Sequence, residues 1–169
     1  MKKVIIIGCP GAGKSVFARR LQAITALPLY HLDTIWHRPD KTHISREAFD
    51  CRLQEIFQKD RWILDGNYQR SLEARLCQCD TVFLLDYPAE LCLAGAAARV
   101  GTQRTDLPWV ETELDAAFRQ QILDFSQKQR PEIYDLLEKY QEGKTVCILK
   151  SREEADAYLR QLNAPPQCE

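Results

Sequence analysis

Residues 8–15 read Gly8-Cys9-Pro10-Gly11-Ala12-Gly13-Lys14-Ser15 and fit G-x-x-x-x-G-K-[ST] at every fixed position. The pattern suits phosphate chemistry. Glycines admit backbone conformations that a Cβ forbids and let the main chain come close to phosphate oxygens. Successive N–H groups then face inward as an anion nest. The loop runs into Val16 and a helix, whose N-terminus favours negative charge. In such a loop Lys14 reaches the β- and γ-phosphates, and the Ser15 hydroxyl ligates Mg²⁺.

Carboxylates follow at regular intervals. Asp33, Asp65 and Asp86 each close a short apolar run. A carboxylate in that position can hold Mg²⁺ through water. Asp65 is the stronger metal candidate, because Gly66 lets the backbone turn away beside it. Asp33 is expected to help place the metal or to accept a hydrogen bond from a substrate hydroxyl, and Asp86 to satisfy local backbone donors.

Arginine suits a transferring phosphoryl group, being always charged and donating a planar fork. Arg99 and Arg104 flank a break in the helical pattern and are the favoured catalytic pair. Arg38, Arg46, Arg70, Arg119 and Arg130 are read chiefly as solvated residues, although Arg38 and Arg70 fall beside the expected site. Among the aromatics near strand ends, Trp36 has polar neighbours and is the better ligand candidate, whereas Tyr30 is read as packing. No nucleophile–His–Asp arrangement is present, so covalent hydrolase chemistry is not suggested.

These residues need a frame. Val4 to Ile7, Leu29 to Leu32, Trp62 to Leu64, Thr81 to Leu85 and Thr145 to Leu149 read as five strands. Helical spacing recurs between them: Phe17, Leu21 and Ile24, then Phe49, Leu53, Ile56 and Phe57 after a Ser45 cap. Further helices are expected after Pro88, from about Val110, from Arg130, and after the capping box Ser151-x-x-Glu154. Alternating strands and helices predict an α/β fold with a parallel sheet covered on both faces. Ligands of such sheets bind outside the carboxyl ends of the strands, where the loop and the aspartates fall. Residues 34–43 and 99–110 are irregular and read as covers over a site, and the Pro-rich tail from Asn163 reads as loose.

At 169 residues, 45% hydrophobic and 28% charged, the chain reads as one globular domain. A net charge of −1 argues against direct DNA binding through a basic face. No apolar run approaches a membrane span, and Val4 to Ile7 is too short for a signal peptide. Seven cysteines without C-x-x-C, Cys77 and Cys79 forming the sole close pair, give no zinc site and suit a reducing cytoplasm. Nothing in the sequence indicates an oligomeric state.

Taken together, IIIGCPGAGKS, LPLYHLD, WILDGNY, DTVFLLDYP, RPEIYDLL and TVCILKSREEADAYL resemble the adenylate-kinase-like phosphate-loop proteins, and within them the topology modulation (FlaR-related) group. The resemblance implies a five-stranded P-loop nucleotide-kinase fold, with an acceptor-binding insert at about 34–60 and a short lid at about 99–110. It implies ATP with Mg²⁺ as cofactors and an acceptor site formed by Asp33, Trp36, Arg38, Asn67, Tyr68 and Arg70. Asp65-Gly66 matches the opening of Asp-Gly-Phe-Pro-Arg in adenylate kinases, with Asn67-Tyr68 replacing Phe-Pro and Arg70 displaced by one place. The expected function is transfer of the γ-phosphoryl of Mg-ATP to a nucleoside monophosphate or nucleoside. The alternative is an ATP-binding regulator with weak ATPase activity that acts on a macromolecular partner, linked by the group's name to DNA topology.

Overall fold

The computed structural model describes residues 1–164, so the expectation of a loose tail falls mostly outside the described residues. Asn163, read as the start of that tail, is instead the last residue of a helix.

The five expected strands form one parallel sheet: β1 (Lys3–Gly8), β2 (Leu29–His31), β3 (Trp62–Asp65), β4 (Thr81–Leu85) and β5 (Thr145–Leu149). Their spatial order is β2-β3-β1-β4-β5. Val4 to Ile7 have no exposed surface, as a central strand covered on both faces requires. From β1 the chain goes to the edge strand β2, returns to β3 beside β1, and then crosses to β4 and β5 on the other side. The crevice beyond the carboxyl end of β1 therefore lies where the strand order reverses, the usual ligand position. Register places Ile6 beside Asp65 and Gly8 beside Leu85.

The helices are α1 (Lys14–Thr25), α2 (Leu32–Trp36), α3 (Arg46–Phe57), α4 (Leu72–Gln78), α5 (Ala89–Ala97), α6 (Ala116–Lys128), α7 (Arg130–Tyr140) and α8 (Arg152–Asn163). Helix α1 packs with α8, and α7 with α4 and α6. Ser45 caps α3 by accepting from the Ala48 N–H at 3.1 Å, and Phe49, Leu53, Ile56 and Phe57 are buried as their spacing predicts. Ser151 likewise accepts from the Glu154 N–H at 3.2 Å, but the Glu154 carboxylate returns to the Lys150 N–H, one residue outside the usual box.

Two boundaries differ from expectation. Strand β2 stops at His31, and Leu32 to Trp36 turn into a short helix, so Asp33 lies in a helical first turn. Leu32 is fully buried against Gly66, which draws the chain inward there. Helix α6 begins at Ala116 rather than near Val110, because the Asp115 carboxylate accepts from the Ala117 N–H at 2.8 Å and sets the N-terminus. Residues 110–115 thus lengthen the irregular cover. No helix among the described residues is long and apolar enough to cross a membrane.

Candidate active site

The phosphate loop is seated by close backbone packing. A Cβ on Gly11 would lie 2.1 Å from the Cys92 carbonyl oxygen, and one on Gly95 would lie 2.2 Å from the Gly11 oxygen. Loop and α5 thus approach at two glycines, of which the motif contains only one. Cys9 and Ala12 are buried beneath the loop, while Pro10, Gly11, Gly13, Lys14, Ser15 and Val16 face a cleft of about 980 Å³.

Lys14 Nζ donates to the Gly8 and Cys9 carbonyl oxygens, each at 2.9 Å. Burial pushes its pKa down, while Asp65 and Asp33 pull it up. The ammonium is thus held over the loop by groups it can exchange for phosphate oxygens. Asn67 ties the loop to its surroundings: its Oδ1 accepts from the Gly8 N–H at 3.3 Å, and its Nδ2 donates to Gln129 at 2.8 Å.

Asp33 and Asp65 line the same cleft as Lys14. Asp65 is 4% exposed, and its Oδ2 lies 2.7 Å from His31 Nδ1. Its Oδ1 is buried without a hydrogen-bond partner among the described residues. Asp33 Oδ1 accepts from the Tyr68 hydroxyl at 2.9 Å. Burial pushes the Asp33 carboxyl above the ordinary carboxylate range, and the Tyr68 bond works against that rise. Burial and the Asp33 carboxylate together push the Tyr68 phenol up, so it remains a donor.

Behind this wall stands Arg75, fully buried, donating at 2.8 Å to the carbonyl oxygens of both Gly66 and Tyr68. It fixes the backbone of the Gly66-to-Tyr68 turn and therefore the pose of Asn67 and Tyr68. Burial lowers its pKa to about 10, which leaves it charged at neutral pH.

The segment expected to form a lid carries an ion-pair network. Arg104 donates to both oxygens of Asp106 and, at 2.8 Å, to Glu111. Arg99 lies 3.0 Å from Glu111 and 5.1 Å from the centroid of the Phe118 ring. The Ser15 hydroxyl donates to Asp106 Oδ2 at 2.7 Å, which joins loop to lid. Burial opposes ionisation of Asp106, but the bonds from Arg104 and Ser15 prevail and bring its pKa down to about 2.

Arg99, Arg104, Asp33, Asn67 and Tyr68 therefore meet Lys14 around one cleft. Three expected acceptor residues do not line it. Trp36 stacks on His43 at 4.5 Å and packs edge-on against Phe49, inside an aromatic cluster. Arg38 is exposed. Arg70 is clamped outward by two hydrogen bonds to Asp50, at 2.9 and 2.7 Å. Asp86, expected to satisfy backbone donors, instead accepts from the side chains of Tyr134 and Lys150, with Arg130 3.7 Å away. Arg75, Gly95, Asp106 and Gln129 were not legible as site residues. Asp106 gave one faint signal, an acid two places from an arginine inside a polar loop.

Among the described residues, no cluster of three His, Cys, Asp or Glu side chains could hold a metal. The donors present fit Mg²⁺ bound largely through nucleotide oxygens and water, with the Ser15 hydroxyl and the unpartnered Asp65 Oδ1 as protein ligands. Asp106, already on Ser15, adds a third candidate oxygen.

No protein-family model matches the chain. Adenylate kinases are similar over part of it: those of Thermotoga petrophila and Thermotoga maritima are 30% identical over 97 residues. That stretch is 56% of this chain and 43% of each relative, so the match spans less than half the length of the curated relatives. Among solved structures, shikimate kinase from Acinetobacter baumannii in complex with shikimate superposes with a TM-score of 0.62 at 19% identity, covering 96% of this chain and 90% of that one. Deoxyadenosine kinase from M. mycoides with bound dATP gives a TM-score of 0.53 at 11% identity, covering 97% and 100%. The fold is thus the five-stranded parallel α/β fold of phosphate-loop kinases.

Proposed function

We propose that the chain is an ATP-dependent phosphotransferase that moves the γ-phosphoryl of Mg-ATP to a small acceptor in the nucleoside monophosphate or nucleoside class. The observation that carries this reading is the shared cleft: Lys14 and Ser15 on one wall, Asp33 and Asp65 on a second, Arg99 and Arg104 on the lid. The similarity to adenylate kinases supports it. On this reading residues 1–169 form one domain, 34–60 contribute the acceptor wall, and 99–110 act as lid.

The loop N–H groups and Lys14 hold the donor phosphates, Lys14 giving up the Gly8 and Cys9 oxygens to do so. Mg²⁺, when bound, neutralises charge on the phosphates, and Ser15 and Asp65 are the residues that hold it. Asp33 accepts a hydrogen bond from the acceptor hydroxyl and orients it toward the γ-phosphorus. Arg99 and Arg104 close over the transferring group and exclude water, whose attack would waste ATP. Phosphoryl transfer needs mainly this positioning and electrostatic support.

One observation favours the regulatory reading: Ser15, Arg99 and Arg104 all have carboxylate partners within the protein. A chain held in that state would bind ATP and turn over slowly until a macromolecular partner opened it, as a topology modulation role would require. Incubation with Mg-ATP and an acceptor panel tests both. Acceptor-dependent ADP formation is expected, whereas hydrolysis indifferent to every acceptor would select the regulator.

A further inference from the structure

We infer that the acceptor is an uncharged hydroxyl compound, carrying neither phosphate nor carboxylate, and that a nucleoside monophosphate is excluded from the site. This rests on the phosphotransferase reading and narrows its acceptor class.

The lysine and arginines that line the cleft are confined to one side of it. Lys14, Arg99 and Arg104 belong to the loop and lid, where the donor phosphates would lie, and Arg19 stands beside the lid with Nη1 3.3 Å from the Thr105 hydroxyl. The acceptor wall, from α2 and the turn after β3, presents Asp33, His37, Asp65, Asn67, Tyr68 and Gln69. It holds two carboxylates and no lysine or arginine. Burial biases the His37 ring toward its neutral form. The arginines nearest in sequence are directed elsewhere, Arg38 to solvent and Arg70 to Asp50.

An anionic acceptor placed there would meet Asp33 and Asp65 on a wall with no lysine or arginine of its own, the nearby Lys14 and Arg99 being the groups that face the donor phosphates, and like charges at short range are strongly disfavoured away from bulk water. The open valences fit a neutral alcohol instead. Asp33 Oδ2 receives no hydrogen bond from the described residues, and Gln69 Oε1 is buried without one. These are acceptor atoms that a hydroxyl-bearing molecule satisfies by donating.

The step balances without a further reactant. The acceptor oxygen forms a bond to the γ-phosphorus as the bond from that phosphorus to the β,γ-bridging oxygen breaks. ADP leaves with the electron pair. The hydroxyl proton passes to Asp33 and then to water.

The test uses the purified full chain with Mg-ATP and matched pairs of acceptors: nucleosides against their 5′-monophosphates, and simple sugars and polyols against their phosphates. ADP formation and the phosphorylated product are both measured. At least one unphosphorylated member is expected to be phosphorylated with a kcat/KM more than about tenfold above that of its charged partner. A monophosphate used equally well or better overturns the inference and leaves the phosphotransferase reading standing. ATP hydrolysis with no product from either set removes that reading and the inference together. Asp33→Lys supplies a second arm, read by equilibrium binding because Asp33 takes part in transfer: reversing the charge at that position should tighten binding of the phosphorylated member of a pair, and binding of the charged members that stays as weak as before would count against the electrostatic argument.

Discussion

The Ser15 hydroxyl donates to Asp106 Oδ2 across 2.7 Å, so the residue expected to ligate Mg²⁺ is tied to a lid carboxylate 91 positions away. Arg104 holds the same carboxylate. The phosphate loop and the segment around Arg104 are therefore joined through one carboxylate.

That carboxylate makes stability pH-dependent. The Asp106 pKa lies at about 2 against an ordinary 3.8, so its folded value is depressed. A depressed acid contributes stability above its unfolded pKa and loses it as pH falls through the folded value. The contribution is about 2 kcal/mol at neutral pH, from the unit-to-energy conversion. Thermal melts of wild type and Asp106→Asn should differ at pH 7 and converge between about pH 4 and pH 2. An equal difference at both extremes would show that Asp106 acts by packing alone.

Lys14→Ala separates chemistry from fold. The ammonium is partly desolvated, and burial lowers its pKa, so its removal costs little stability. Loss of a charged donor to the transferring phosphates is expected to lower ATP turnover by about 10² to 10³. Melting within a few degrees of wild type, with turnover reduced, is the expected pair of results. Unchanged turnover would take Lys14 out of the mechanism.

Asp33 should set the acid limb of the rate profile. Burial raises its pKa, so the carboxylate needed to receive the acceptor proton is lost at a higher pH than for an ordinary aspartate. Transfer should therefore fall with decreasing pH from a point above the usual carboxylate range. Asp33→Asn should remove the limb and reduce transfer by about 10² to 10⁴. Tyr68→Phe removes the hydrogen bond that lowers the Asp33 pKa, so the limb should move to higher pH. A limb that stays in place would assign it to another group.

The fold, and the residues on the loop side of the cleft, were legible because those signals are local. The phosphate loop is contiguous, and each strand is a short apolar run bounded by polar residues. Residue type also singled out Asp33, Asp65, Arg99 and Arg104. The acceptor half was less legible because it depends on side-chain direction. Arg70 is one place from the arginine of the adenylate-kinase motif that the sequence resembles, yet Asp50 on α3 turns it outward. Trp36 carries polar neighbours in sequence, yet α2 rotates it into His43 and Phe49. Arg75 acts through carbonyl oxygens nine and seven residues before it and Gly95 through one in the phosphate loop, and neither belongs to a pattern that would mark it.

Gly95 provides the sharpest test of how the loop is held. A Cβ there would meet the Gly11 oxygen at 2.2 Å and Arg152 at 2.9 Å. The first contact is backbone, which cannot swing aside, so α5 and the phosphate loop must separate. Overpacking of this kind costs about 1–3 kcal/mol. On the proposed function the displaced element holds the donor phosphates, so Gly95→Ala should also weaken nucleotide affinity. Gly143→Ala is the control: Gly143 has a φ of +71° at the end of α7 with open space around it. Its substitution costs only backbone strain, about 1–2 kcal/mol, far from the cleft. Both variants should melt earlier than wild type. Only Gly95→Ala should lose affinity for ATP by calorimetry, and equal affinities in the two would show that α5 does not set the loop's shape.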